Sequence, residues 1–285
     1  MHRFVIALGV CPTIGECVSL PPEEAEHLNR VLRLKTGDAV EIFDDAGHSW
    51  SGEVADVSKS SAKVRVTACL PGREPSLRVT LFQGLPKSDK MELIIQKATE
   101  LGVFAVVPVI MERSVARAQS GEGKALRWRR IALEATKQCG GARVPHIAEP
   151  IDSAEMTKRI RAVPFCDSST TGKFRSSRSL STTTPSARIT LMPYEMEHNL
   201  TLPAALACAM RGQTSPLVPQ AVSLIIGPEG GISPKEAEEW VGAGALAVTL
   251  GPRILRTETA AIAALSILLA GGAWPWASTK PEEGA

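Results

Sequence analysis

Aromatic residues make up only 4% of the chain, with a single tyrosine, which argues against an extended platform for stacking unpaired bases. The six cysteines (Cys11, Cys17, Cys69, Cys139, Cys166 and Cys208) are scattered, with no CxxC pair and no clustered histidines. Neither a zinc site nor a disulfide framework is expected from that pattern in a chain of this length. Long apolar runs are also missing. The opening MHRFVIALGV is too short for a secretory core and runs into Cys11-Pro12, and the late apolar stretch 260–270 is half of what a bilayer span needs. The expectation is therefore a soluble, cytoplasmic protein in a reducing compartment, with no metal and no membrane partner. The nucleotide fingerprints GxxxxGK[ST] and GxGxxG are absent as well.

What is present suits one large or two modest domains: 285 residues, 44% of them hydrophobic, with a net charge of only +2. That near-neutral balance hides a local excess, because residues 73–143 carry 13 Lys/Arg against 7 Asp/Glu. A basic concentration of this size fits a polyanionic partner, and a solvated face without a partner is the plainer alternative.

Residues 1–72 read as a small β-rich unit. Residues 40–43 and 62–66 alternate as half-buried strands do, Asp44-Asp45-Ala46-Gly47 is a turn, and one short helix over about 23–32 projects Arg30 and then Arg33. A linker follows at 71–75. From 76 to 275 strand and helix patterns alternate, the signature of an α/β domain with a largely parallel sheet. Strands are expected at 77–82, 103–110, 188–192, 222–226 and 247–250, and helices after Asp89, over 124–139, from Pro234 and over 259–269. Asp89 with Glu92, Asp152 with Glu155 and Ser233 with Glu236 have capping-box spacing. On the second helix Trp128, Ile131 and Ala135 form the apolar face, with Arg127, Arg130 and Lys137 elsewhere. Residues 168–186 (SSTTGKFRSSRSLSTTTPS) lack apolar periodicity and read as a flexible insertion.

Two glycine-punctuated loops stand out, LIIGPEGGIS at 224–233 and LGPRILRTETA at 250–260. Each follows a short apolar run and leads into a helix, so on neighbouring parallel strands they would line one crevice, where open α/β sheets bind ligands. Glycine lets backbone approach a ligand and present its N–H groups. Glu229 in the middle of the first loop disfavours a phosphate guest, leaving a neutral or cationic ligand, or a structural turn, as readings. The second loop places Arg253, Arg256 and Glu258 within six residues. Arg256 and Glu258 are either a surface ion pair at a helix start or a site in which the arginine steadies developing negative charge.

Taken together, HLNRVLRLKTGD (27–38), KMELIIQKATELGV (90–103), EATKQC (134–139) followed by RVP (143–145), and the two glycine loops resemble the RsmE family of SPOUT-class methyltransferases, which methylate N3 of a uridine in small-subunit (16S) ribosomal RNA. The motifs stand in family order and span nearly the whole chain. The resemblance implies a PUA-like β-barrel over 1–72 that grips RNA. It also implies a SPOUT domain over 76–275 ending in a deep trefoil knot, a rare exception to unknotted topology. It further implies S-adenosyl-L-methionine as cofactor, small-subunit ribosomal RNA or the 30S particle as partner, and a homodimer packed through knot helices.

Carried over by position, the resemblance implies that Ile226, Gly227, Pro228, Glu229, Gly230 and Gly231, together with Leu250, Gly251, Ile254, Leu255, Arg256 and Thr259, hold the cofactor, with Leu191 and Met192 lining the pocket. Arg256 would stabilise the uracil anion and Glu258 is the candidate general base. Arg30, Arg33, Lys87, Lys90, Lys97, Arg113 and Arg143 are candidates for RNA phosphate contacts. Gly141 and Ala142 stand where the family has a polar or basic residue, and the 168–186 insertion is longer than expected. The alternatives are a SPOUT enzyme acting on a ribose 2′-hydroxyl or another base, since one fold serves many functions, and an RNA-binding assembly factor without catalysis.

Overall fold

The computed structural model describes residues 1–6, 10–58, 61–87, 89–114, 122–162, 188–211 and 221–270. The expected insertion at 168–186 lies outside them. The chain divides into two compact units, one of Met1–Glu74 with Arg130–Pro145, the other of Pro75–Arg129 with the residues from His146 onward.

The first unit is built on a five-stranded sheet of order β1-β3-β4-β5-β2. Its strands are β1 (His2–Val5), β2 (Cys17–Ser19), β3 (Ala39–Phe43), β4 (Ser49–Val57) and β5 (Ala62–Cys69). Pairing is antiparallel except between β1 and β3. In β5, Ala62, Val64 and Val66 are buried while Lys63, Arg65 and Thr67 face out, the period-two alternation of a half-buried strand. They pack with Phe4, Ile42, Trp50 and Leu28 in one apolar core. The helix expected at 23–32 is an α-helical turn, α1 (Pro22–Glu26), that continues as a π-helical turn over His27–Val31.

Residues 130–145 group with this sheet rather than with the α/β region assigned to them from sequence, and buried polar contacts explain why. Arg3 pairs with Glu41 at 2.8 Å and donates to the carbonyls of Thr136 and Gly141. The Glu74 carboxylate accepts from the N–H groups of Ala142 and Arg143, and Asp45 accepts from Val144 N–H at 2.6 Å. Lys137, read from sequence as off the apolar face, is half-buried against Glu24 at 2.6 Å. Burial pushes the Asp45 carboxyl up, against the Val144 hydrogen bond and the nearby Arg143 charge.

In the second unit seven parallel strands run in the order β12-β10-β11-β6-β7-β8, with β9 also on β7. They are β6 (Arg78–Gly84), β7 (Ala105–Ile110), β8 (His146–Ile147), β9 (Ile151–Asp152), β10 (Arg188–Pro193), β11 (Ala221–Ile226) and β12 (Leu246–Val248). The helices are α2 (Lys90–Glu100), α3 (Glu122–Cys139), which the division between the units cuts at Arg129, α4 (Ser153–Arg161), α5 (Leu202–Arg211), α6 (Pro234–Gly242) and α7 (Thr257–Ala270). α2 buries Met91, Ile94, Ile95 and Ala98, one stripe at helical spacing.

Of the three capping boxes expected, α6 has both halves, with Ser233 and Glu236 satisfying each other's backbone. At α4 Asp152 caps Glu155 N–H, while Glu155 turns to Arg159. At α2 the Asp89 side chain makes no cap bond, because its carbonyl already receives Glu92 N–H and Glu92 reaches across to Arg127 at 2.8 Å. No described helix is long and apolar enough to cross a membrane.

Candidate functional site

Because every strand of the larger sheet is parallel, the chain leaves each one at the same edge. β10 lies between β12 and β11. The first glycine loop follows β11 and the second follows β12, so the two flank the turn that follows β10. The two loops were expected on neighbouring strands; β10 separates them, so they stand on either side of its following turn.

The first loop is pressed onto the sheet. A Cβ at Gly84, the last residue of β6, would lie 2.6 Å from Pro228 and 2.9 Å from the Met111 sulfur, so only glycine lets the loop settle here. Gly231 N–H closes the turn on the Pro228 carbonyl at 2.9 Å, and Gly231 has φ +72°, left-handed backbone that favours glycine. Behind the loop, Glu112 ties in the α6 cap: its N–H donates to Glu236 and its carboxylate accepts from Ser233 Oγ at 2.7 Å.

A buried relay joins three elements. Gln83 on β6, fully buried, donates through Nε2 to Thr257 Oγ1 at 2.9 Å and to the Gly84 carbonyl at 3.0 Å. Thr257 Oγ1 in turn donates to the Gly227 carbonyl at 2.6 Å. One hydroxyl thus fixes the start of α7 to both β6 and the first loop. The Gln83 Oε1 is buried without a hydrogen-bond partner among the described residues.

The ion pair that was one reading of Arg256 and Glu258 is not formed. The Glu258 carboxylate lies 3.3 Å from Lys90 Nζ rather than on Arg256, and the same ammonium is 3.1 Å from Glu229. Glu229 also accepts from Lys87 backbone N–H. The Glu229 carboxylate, then that of Glu258, hold the Lys90 ammonium above its ordinary pKa. For Glu229, burial pushes the carboxyl up, but its own N–H, Lys90 and Lys87 N–H outweigh it, and the pKa falls below the usual value. The charge of Glu229 is therefore countered from the α2 side. Arg256 is exposed and makes no ion pair or side-chain hydrogen bond among the described residues.

The second loop offers open backbone. Gly251 N–H is engaged by Thr249, whereas the N–H groups of Arg253, Ile254, Leu255 and Arg256 have no partner among the described residues. Leu250 and Leu255 are half-buried, Gly251 and Thr259 are exposed, and the Ile254 side chain is 90% exposed. Leu191, Met192 and Ile226 are core residues of β10 and β11.

The basic candidates fall in both units. In the first, Arg30 pairs with Glu26, Arg33 is exposed with φ 55°, and Arg143 donates to the Ala46 carbonyl at 2.7 Å. In the second, Lys97 is held by Glu100, Arg113 donates to the Gly230 carbonyl at 3.1 Å, and Lys90 sits between its two glutamates. Lys87 is exposed and its ammonium has no partner among the described residues.

Sequence reading missed Gln83, Thr257 and Glu195. For Gln83 the signal was there, an amide ending the apolar strand run before Gly84. For Thr257 the partners are too distant in sequence to be seen, and Glu195 is set against Gly231 only by the folded sheet.

A parallel sheet with two glycine loops at the edge where its strands end defines an α/β protein of the class that binds ligands at strand ends. Residues 73–269 match the RNA methyltransferase domain family, and residues 20–67 match the RNA methyltransferase PUA domain. The ribosomal RNA small subunit methyltransferase E of Bacillus subtilis is 30% identical over 88% of each chain, and that of Mycobacterium tuberculosis is 29% identical over 93% of this chain and 90% of its own. A crystal structure of the Neisseria gonorrhoeae ribosomal RNA small subunit methyltransferase E, bound to S-adenosyl methionine, superposes with a TM-score of 0.72 at 29% identity, covering 95% of this chain and 97% of that one. The chain belongs to the ribosomal RNA small subunit methyltransferase E family.

Proposed function

We propose that the protein transfers a methyl group from S-adenosylmethionine to N3 of a uridine in small-subunit ribosomal RNA. The observation that carries this reading is the pair of glycine loops flanking the turn after β10, in a chain of this family. The crevice fits such a cofactor: the second loop presents unpaired N–H groups to polar edges, and the first is pinned by Thr257 rather than left to fold around a ligand. Gly227–Gly231 and Leu250–Leu255 would hold the nucleoside and amino-acid portions, leaving Leu191, Met192 and Ile226 to support them from the core.

When bound, the cofactor supplies a methyl group on a cationic sulfur. Alignment of the base against it accounts for much of the acceleration such a site can give. Arg256, unpaired at the crevice, stabilises the negative charge that develops on the uracil carbonyl oxygens. The target base must leave its stack to enter. RNA grip comes from the first unit (residues 1–72 in its β-rich part) with Arg30, Arg33 and Arg143, and from Lys87, Lys97 and Arg113 at the second, and it weakens as salt rises. The reading includes a C-terminal trefoil knot, supported by β10 being flanked by the two strands that follow it in sequence. It also includes a cytoplasmic homodimer, supported by α7 being apolar after its first residues, Ser266 apart, and by the exposure of Ile254 and Ile267.

The test is mass mapping of 30S subunits lacking the modification after incubation with protein and cofactor. The expected product is 3-methyluridine, formed far more slowly by Arg256→Ala. A methylated ribose or another base would refute the assignment.

A further inference from the structure

Methylating N3 of uridine removes a proton, and most carboxylates around the two loops are already engaged. Glu258, the acid expected from sequence, is already ion-paired to Lys90, as is Glu229. Glu112 accepts from Ser233, and Glu236 is consumed by the α6 capping box. Glu197 takes the N–H groups of Asn199 and Leu200, which, against burial, hold its carboxyl below the usual range.

Glu195 is different. It stands in the turn after β10, between the two glycine loops. Its Oε1 lies 2.8 Å from where a Cβ on Gly231 would be, so the carboxylate rests against the first loop at the point where that loop can carry no side chain. The residue is exposed, and its carboxylate makes no hydrogen bond or ion pair among the described residues. The turn beneath it is nonetheless fixed: Tyr194 N–H donates to the Val248 carbonyl at the end of β12, and Glu197 N–H to the Tyr194 carbonyl. A free carboxylate on an anchored turn at the centre of the crevice has the placement a general base requires.

We infer that Glu195 is the proton acceptor of the reaction. The inference rests on the uridine-N3 reading above. The N3–H bond breaks toward a Glu195 oxygen, leaving its electron pair on N3. That pair forms the new bond to the methyl carbon as the carbon–sulfur bond breaks and its electrons pass to sulfur. The carboxylic acid then returns its proton to water. Arg256 and Glu195 divide the work, one steadying the anion and the other taking the proton.

The experiment compares wild type, Glu195→Gln and Glu195→Asp on 30S subunits, with cofactor affinity measured by calorimetry for each. Glu195→Gln is expected to lower kcat by about 100-fold or more, the usual contribution of a positioned base, with cofactor affinity unchanged. Glu195→Asp should recover part of the rate. Ribosomal RNA carrying 5-fluorouridine, whose N3 proton is more acidic, should narrow the gap between Glu195→Gln and wild type. A near-wild-type kcat for Glu195→Gln, a loss confined to cofactor affinity, or a gap that 5-fluorouridine leaves unchanged would each overturn the inference. Wild-type product mapping keeps the two readings separable: 3-methyluridine made equally well by Glu195→Gln sinks the base assignment alone, and its absence with wild type sinks the reading beneath it.

Discussion

Replacing Thr257 by valine removes one hydroxyl and keeps the shape of a buried side chain. That hydroxyl receives Gln83 Nε2 at 2.9 Å and donates to the Gly227 carbonyl at 2.6 Å, so two hydrogen bonds go together. Each such bond is worth about 1 kcal/mol net, and a buried group left unmet costs about 1–3 kcal/mol. Gln83 keeps its bond to Gly84, and the half-buried Gly227 carbonyl can recruit water, which places the total near the lower end, about 2 kcal/mol. The loss should divide between the fold and the crevice, because the relay pins the first glycine loop to α7. Urea unfolding followed by circular dichroism reads the first share. Calorimetric titration with S-adenosylmethionine reads the second, with about tenfold weaker binding for each 1.4 kcal/mol. A Thr257→Val protein with unchanged stability and unchanged affinity would show that the relay positions nothing. In a double-mutant cycle, Gln83→Leu should add little to Thr257→Val, since both remove the same bond.

Two further outcomes follow from the same loops. Lys90→Met should weaken cofactor binding by releasing Glu229 and Glu258, with Lys90→Arg retaining most of it, and the slope of RNA affinity against salt should not change. A lower slope would return Lys90 to the phosphate contacts expected from sequence. Gly84→Ala should abolish cofactor binding in a protein that still melts cooperatively, because the new methyl group would meet Pro228 at 2.6 Å. Wild-type affinity in that variant would mean the loop is free to move.

Much of the α/β unit was legible because its buried strands and amphipathic helices carry their burial in local pattern. The strands 222–226 and 103–110 and the α6 capping box needed no distant residue to be recognised. β4 was not read, because Ser49–Val57 mixes glycine, serine and acidic residues whose alternation emerges only against β3 and β5. α5 was hidden by the proline near its start. The place of residues 130–145 depended on Arg3, Glu74 and Asp45, which helical periodicity cannot reveal. At the crevice the loops were visible as glycine motifs, whereas the pairing of Lys90 and the engagement of Thr257 were not. Ion pairs depend on which side chains meet, and that is a property of the assembled sheet.

The relay from Gln83 to Thr257 joins residues 174 positions apart. A chain still emerging during synthesis therefore has β6 and α2 in hand long before it has anything to close the first loop onto them. Until α7 has been made and docked, the crevice lacks a wall and Lys90 lacks one of its two counter-charges. Competence to bind cofactor is in this sense the last event of maturation, and a truncated or stalled product ending before Thr257 would be unable to hold the methyl donor.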